Sequence, residues 1–150
     1  AMLQRFAFLT AIAAVISTGS VAVANPQAMQ VKEAVGEYAT KFEEVSNNCK
    51  NTGMTLAKST VKVVQVRGRS ISMSIPMVPD LRGAVRKGGK FRAKAKKGRT
   101  GIQGVDGRFS AGGRFDGANI QFVFIAEYFR GKEPLCTQSW NAVGKKAGAK

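Results

Sequence analysis

Histidine is absent from these 150 residues, and acids are scarce: 9 aspartates and glutamates stand against 24 lysines and arginines, a net charge of +15. Without histidine there is no usual triad base, no commonest metal ligand and no side chain that exchanges protons near neutral pH. So few carboxylates also leave little from which to build an oxygen-ligand cation site. Asp106 and Asp116 each precede a glycine in a turn-like context, and no hydroxyl or thiol has a neighbouring group that would activate it. Gly83 to Lys90 fails as a phosphate loop, because the spacing is wrong and Phe91 stands at the hydroxyl position. The expectation is a protein that is not an enzyme and holds no metal and no cofactor.

Long apolar runs are missing too, apart from one at the start. Phe6 to Ile16 follows Arg5 and gives way to Ser17-Thr18-Gly19-Ser20 and then Val21-Ala22-Val23-Ala24. A basic start, a short apolar core and a small-residue cleavage site in that order read as a secretory signal over residues 2–24. The core falls short of the roughly 20 apolar residues that span a bilayer. The mature chain is therefore expected from Asn25 onward, periplasmic or secreted, with no integral membrane segment. Cysteine is rare as well. Cys49 and Cys136 are the only pair, and an even count in a small exported domain predicts one disulfide between them.

What the chain has in excess is positive charge. Loss of Arg5 with the signal leaves 23 basic residues against 9 acids, a net +14. No acid occurs between Leu81 and Val105, where Arg82, Arg86, Lys87, Lys90, Arg92, Lys94, Lys96, Lys97 and Arg99 all lie. A field of one sign attracts polyanions in a salt-dependent way. The candidate polyanion-binding set is Arg86, Lys87, Lys90, Arg92, Lys94, Lys96 and Arg99. Within it Arg92, Lys94 and Lys96 alternate with Phe91, Ala93 and Ala95, which predicts a basic row on one strand face.

The mature chain begins with Asn25-Pro26, a cap and first-turn pair for a helix. Val31, Val35, Tyr38, Phe42 and Val45 then follow at helical spacings, and Asn47-Asn48 ends the run. Period two takes over afterwards: Thr60 to Arg67 is rich in valine, and Ile71, Met73, Ile75 and Met77 alternate with Ser70, Ser72, Ser74 and Pro76. Lys90 to Lys97 reads as a strand. Turns are expected at Arg67-Gly68-Arg69, Lys87-Gly88-Gly89, Asp106-Gly107, Gly112-Gly113 and Asp116-Gly117. Asn119 to Arg130 is the strongest strand, with Ile120, Phe122, Phe124, Ala126 and Tyr128 on one face and Val123, Ile125 and Phe129 on the other. Apolar residues on both faces predict cover on both.

The fold expected is α+β: an N-terminal amphipathic helix packed on a curved antiparallel β-meander or partial barrel, with one disulfide. One domain should occupy residues 25–142, followed by a basic disordered tail over 143–150. Gly89-Lys90-Phe91, Gly107-Arg108-Phe109 and Gly113-Arg114-Phe115 repeat a glycine, a solvent-facing cation and a core ring. The function expected is binding an anionic polymer, such as an anionic polysaccharide, lipopolysaccharide or extracellular DNA, through a basic strand face. The alternative is a structural or protein-interaction role in the cell envelope, with the charge serving solubility.

Overall fold

A computed structural model describes residues 30–148; the signal expected over 2–24 and the Asn25-Pro26 helix start lie outside them. One helical turn, α1 (Val31–Ala34), precedes nine strands: β1 (Gly36–Asn47), β2 (Lys58–Arg67), β3 (Ser70–Ser74), β4 (Leu81–Val85), β5 (Lys90–Lys94), β6 (Gly98–Arg99), β7 (Asp106–Asp116), β8 (Asn119–Arg130) and β9 (Glu133–Lys146). The protein is nearly all β. Every pairing is antiparallel, and the order β5-β4-β3-β2-β1-β9-β8-β7 returns to its start through a β5–β7 pair. The two-residue β6 pairs only with the start of β7. The sheet is thus a meander rolled into a barrel-like ring, which hides the edges an open sheet would expose.

The expected amphipathic helix is a strand beyond its first turn. Gly36 to Asn47 satisfies two periods at once. Helical spacing links Tyr38, Phe42 and Val45, while alternation puts Tyr38, Thr40 and Phe42 inside and Ala39, Lys41 and Glu43 outside. Pairing with β2 on one side and β9 on the other decides for the strand, because strand preference follows neighbours more than local sequence. Expected cover over both faces of β8 is also corrected. Its inner face is buried, but Val123 is 44% exposed on the outside. The ring shields one face only. Gly112-Gly113 and Asp106-Gly107 are not turns but lie within β7, and Ile75 to Met77 falls outside β3. β9 runs on to Lys146, through residues expected as tail.

Rings from most of the strands fill the interior. Phe124 stacks on Trp140 at 5.4 Å between centroids, Phe91 meets Phe115 at 4.7 Å, and Phe42 meets Phe122 edge-on at 5.9 Å. A ring of about eight strands encloses just the space that such side chains occupy. The three glycine-cation-phenylalanine repeats resolve as alternation requires, with Phe91, Phe109 and Phe115 inside and Lys90, Arg108 and Arg114 outside.

The two ends differ. At one, the chain reverses through the short Gly68-Arg69, Arg86 to Gly89 and Gly117-Ala118 connections, and α1 inserts Val31 and Ala34 into the core. The Tyr38 hydroxyl donates to the Ala34 carbonyl at 2.8 Å. At the other end lie the long connections 48–57, 75–80 and 95–105. The first is pinned by the Cys49–Cys136 disulfide and by Gln138. The Gln138 amide oxygen accepts from the Met54 backbone N–H (2.9 Å) and the Tyr128 hydroxyl (3.1 Å), and its nitrogen donates to the Met54 carbonyl (3.0 Å) and to Glu44 (3.1 Å).

The disulfide closes a separation of 87 residues. β1 and β9 are already hydrogen-bonded neighbours, so the bridge acts mainly by restricting the unfolded chain. A Cys49→Ser, Cys136→Ser double variant should keep the ring but lose about 4 kcal/mol in urea titration, the loop-entropy value for this span. A loss under about 1 kcal/mol would show that the unfolded chain gains no freedom from the cut.

Candidate anion-binding surface

Strand alternation turns Lys90, Arg92 and Lys94 of β5 outward and buries Phe91 and Ala93. Register then sets their neighbours: Arg82 lies opposite Lys94, Arg114 opposite Lys90, and Gly112 opposite Arg92. Five cations thus crowd one face of three adjacent strands. Two of the directly opposed pairs carry like charge, an arrangement that destabilises a sheet. Among the described residues, none of these five is in an ion pair; the one ion pair found joins Arg108 to Glu127 at 2.6 Å. That contact, first through its hydrogen bond and then through the Glu127 charge, raises the Arg108 pKa above its ordinary value. Arg108 is thereby committed elsewhere.

A groove of about 1110 Å³ runs beside these cations across β5, β7, β8 and β9. Arg86, Lys90, Arg92 and Arg114 form its basic side, and Gln121, Asn141, Val123 and Val143 its opposite side, with Glu43 the one acid. Its floor is low because Gly112 presents no side chain. A Cβ at Gly112 would meet nothing closer than 3.8 Å, so packing does not require glycine there. Gly113, the next residue, faces inward and a Cβ would lie 1.9 Å from the Gln121 carbonyl oxygen. One glycine is needed by the barrel; the other keeps the trough open.

The seven residues singled out from sequence do not form one cluster. Arg86, Lys90 and Arg92 line the groove and Lys94 continues the row on β5. Lys87 sits in the short 3-10 helix Lys87–Gly89 at the barrel end nearer α1. Lys96 lies past the end of β5, so the expected Arg92-Lys94-Lys96 row shifts back to Lys90-Arg92-Lys94. Arg99 is on β6, at the end with long loops. Arg82 and Arg114 are outside the set that sequence reasoning selects, and cross-strand register supplies them. The place of Arg114 before Phe115 marks it as solvent-facing, but its position beside Lys90 depends on a pairing that no local pattern announces.

Asp106 and Asp116 stand at opposite ends of β7. Among the described residues, no group of three or more acids, cysteines or histidines gathers into a metal-binding arrangement, and no helix is long and apolar enough to cross a membrane. The disulfide fits an oxidising compartment. No family model matches the chain, and neither a curated protein nor a solved structure matches it.

Proposed function

We propose that this is an exported, non-enzymatic binding protein of the periplasm or cell exterior whose outer wall over β4, β5 and β7 holds an acidic polysaccharide. The observation that carries this reading is the opposed like-charge pairs, Arg82 with Lys94 and Lys90 with Arg114, beside a groove floored by Gly112. Such a surface costs stability when empty and regains it when an anion lies across it. Export is supported by the signal-like N-terminus and the disulfide. A glycan suits the groove better than nucleic acid does. Gln121 and Asn141 offer amides to hydroxyl groups, whereas Phe91 and Phe122 are buried behind the floor and give bases no exposed ring to stack on.

Successive outward residues on a strand lie about 6.5–7 Å apart, so an extended chain can meet Lys90, Arg92 and Lys94 in turn. Each exposed contact is weak, about 0–1 kcal/mol, and binding depends on several acting together. A Lys90→Gln, Arg92→Gln, Arg114→Gln variant should bind heparin at least ten-fold more weakly and show a shallower salt dependence. For single-stranded DNA as a comparison ligand, each lost phosphate contact lowers the slope by about 0.7. The control removes the same charge from Lys50, Lys62 and Lys132, which lie outside the groove. Equal losses in both variants would mean that net charge alone attracts the polymer. Unchanged binding in the first variant would leave the structural or protein-interaction role in the envelope as the better reading.

A further inference from the structure

The end of the barrel with the long connections is not fully closed. Between 48–57, 75–80 and 95–105 lies a cavity of about 480 Å³, reaching down to the rings of Phe109 and Tyr128. Its walls are mostly apolar: Met54, Met77, Val78, Pro79 and Ile102. Two of these are exposed despite being large and apolar, Met77 at 73% and Ile102 at 38%. Met77 is moreover the one non-glycine residue with positive φ among the described residues, at 66°, a conformation that costs energy for a residue with a side chain. An exposed apolar side chain held in a costly backbone conformation at a cavity rim is a feature packing does not explain.

Polar groups around the cavity are few and mostly engaged. The Thr100 hydroxyl donates to the Val105 carbonyl at 2.8 Å, and the Tyr128 hydroxyl to Gln138. Among the described residues, Arg99 is the single charged side chain lining the cavity, and it has no ion-pair partner. The neighbouring Lys97 is occupied with the Gly131 carbonyl and the Phe129 ring. One wall is fixed by the disulfide and by Gln138, so the site is largely formed before any ligand arrives. Its volume is in the usual range of ligand pockets, and barrel mouths are a common place for them.

The geometry points to a second binding site, at this mouth, for a single aliphatic chain bearing one anionic head: the chain enters between Met77 and Ile102 toward Phe109, and the head meets Arg99. Flexible methionines suit a chain that has no fixed shape. The head can be a carboxylate or a phosphate, since Arg99 pairs with either. This site is separate from the groove on the outer wall and does not depend on it.

The test uses the full disulfide-bonded chain, labelled with nitrogen-15, titrated below micelle-forming concentrations with octanoate, decanoate and decyl phosphate. Amide shifts are expected to saturate at Thr100, Gly101 and Ile102, with affinity rising about four-fold per methylene added. Comparison of decanoate with decyl phosphate tells which head is preferred. Decylammonium should bind at least ten-fold more weakly than decanoate, and Arg99→Gln should erase that difference. Met77→Gly relieves the backbone while removing the side chain, and with Ile102→Asp it should weaken decanoate at least ten-fold. Absence of saturable shifts in the wild-type protein, affinity independent of chain length, or full binding by the Met77→Gly, Ile102→Asp variant would each overturn the proposal.

Discussion

Replacing Gly83 by alanine is expected to prevent the barrel from forming. Gly83 is at the centre of β4 on its inward side, between buried Leu81 and Val85. A Cβ there would lie 1.6 Å from the carbonyl oxygen of Arg92 and 2.8 Å from the Cα of Ala93. Both are backbone atoms of β5, so no change of rotamer relieves the overlap. The β4–β5 ladder must open instead, and with it the ring. The loss should exceed about 4 kcal/mol, a large part of the roughly 5–15 kcal/mol that holds an ordinary domain together. Gly112→Ala is the control, since its Cβ would make only ordinary contacts at 3.8 Å and should leave stability within about 0.5 kcal/mol. Far-ultraviolet circular dichroism and thermal melting of the two variants decide the matter. A Gly83→Ala protein that melts within a few degrees of wild type would show that the strands part easily at this point.

Those glycines also mark where sequence reading fails. Gly112-Gly113 and Asp106-Gly107 look like turns because glycine usually punctuates a chain. In a tightly coiled sheet glycine has another use, to let one backbone approach another, and the two uses look alike in sequence. β8 is legible over its full span because its inner face is uniformly apolar and Asp116-Gly117 sets its start. β1 is not, because an inward position is held by Thr40, a polar residue whose hydroxyl is satisfied by the Tyr38 carbonyl at 3.0 Å. With that position read as polar, Tyr38 and Phe42 are left at helical spacing. The disulfide follows from cysteine number and the signal-like start alone, although it ties the connection after strand β1 to β9 and not the end of a helix to the chain after a strand. Part of the candidate site is legible as an acid-free segment. Its convergence with Arg114 is not, since the β5–β7 pairing bridges the 95–105 excursion and is fixed only by ring closure.

Stability should fall steeply between about pH 10 and 12, by about 5 kcal/mol in all, through the two tyrosines. Tyr38 and Tyr128 are the only tyrosines in the chain, and both point into the barrel, 0% and 2% exposed. Burial pushes the pKa of each phenol from 10.0 up to about 12. Each hydroxyl also donates to an oxygen, Ala34 O for Tyr38 and the Gln138 amide oxygen for Tyr128, which would face a phenolate unfavourably. Because the folded pKa is the higher one, the folded protein retains protons that the unfolded chain releases above about pH 10. The advantage of folding is thus intact below that pH and is lost as pH rises through about 12. A phenol at about 12 in the barrel and 10.0 in the unfolded chain corresponds to roughly 2–3 kcal/mol per tyrosine. A Tyr38→Phe, Tyr128→Phe variant isolates the contribution of the phenols, because every other ionisable group is common to both proteins. At about pH 7 the variant should be the less stable, by about 1 kcal/mol for each lost hydrogen bond; near pH 12 it should be the more stable. Urea titrations across that range, with phenolate absorbance followed in the wild type, should find the two stability curves crossing above about pH 10. Curves that stay parallel would mean that the phenols ionise as readily inside the barrel as in the unfolded chain.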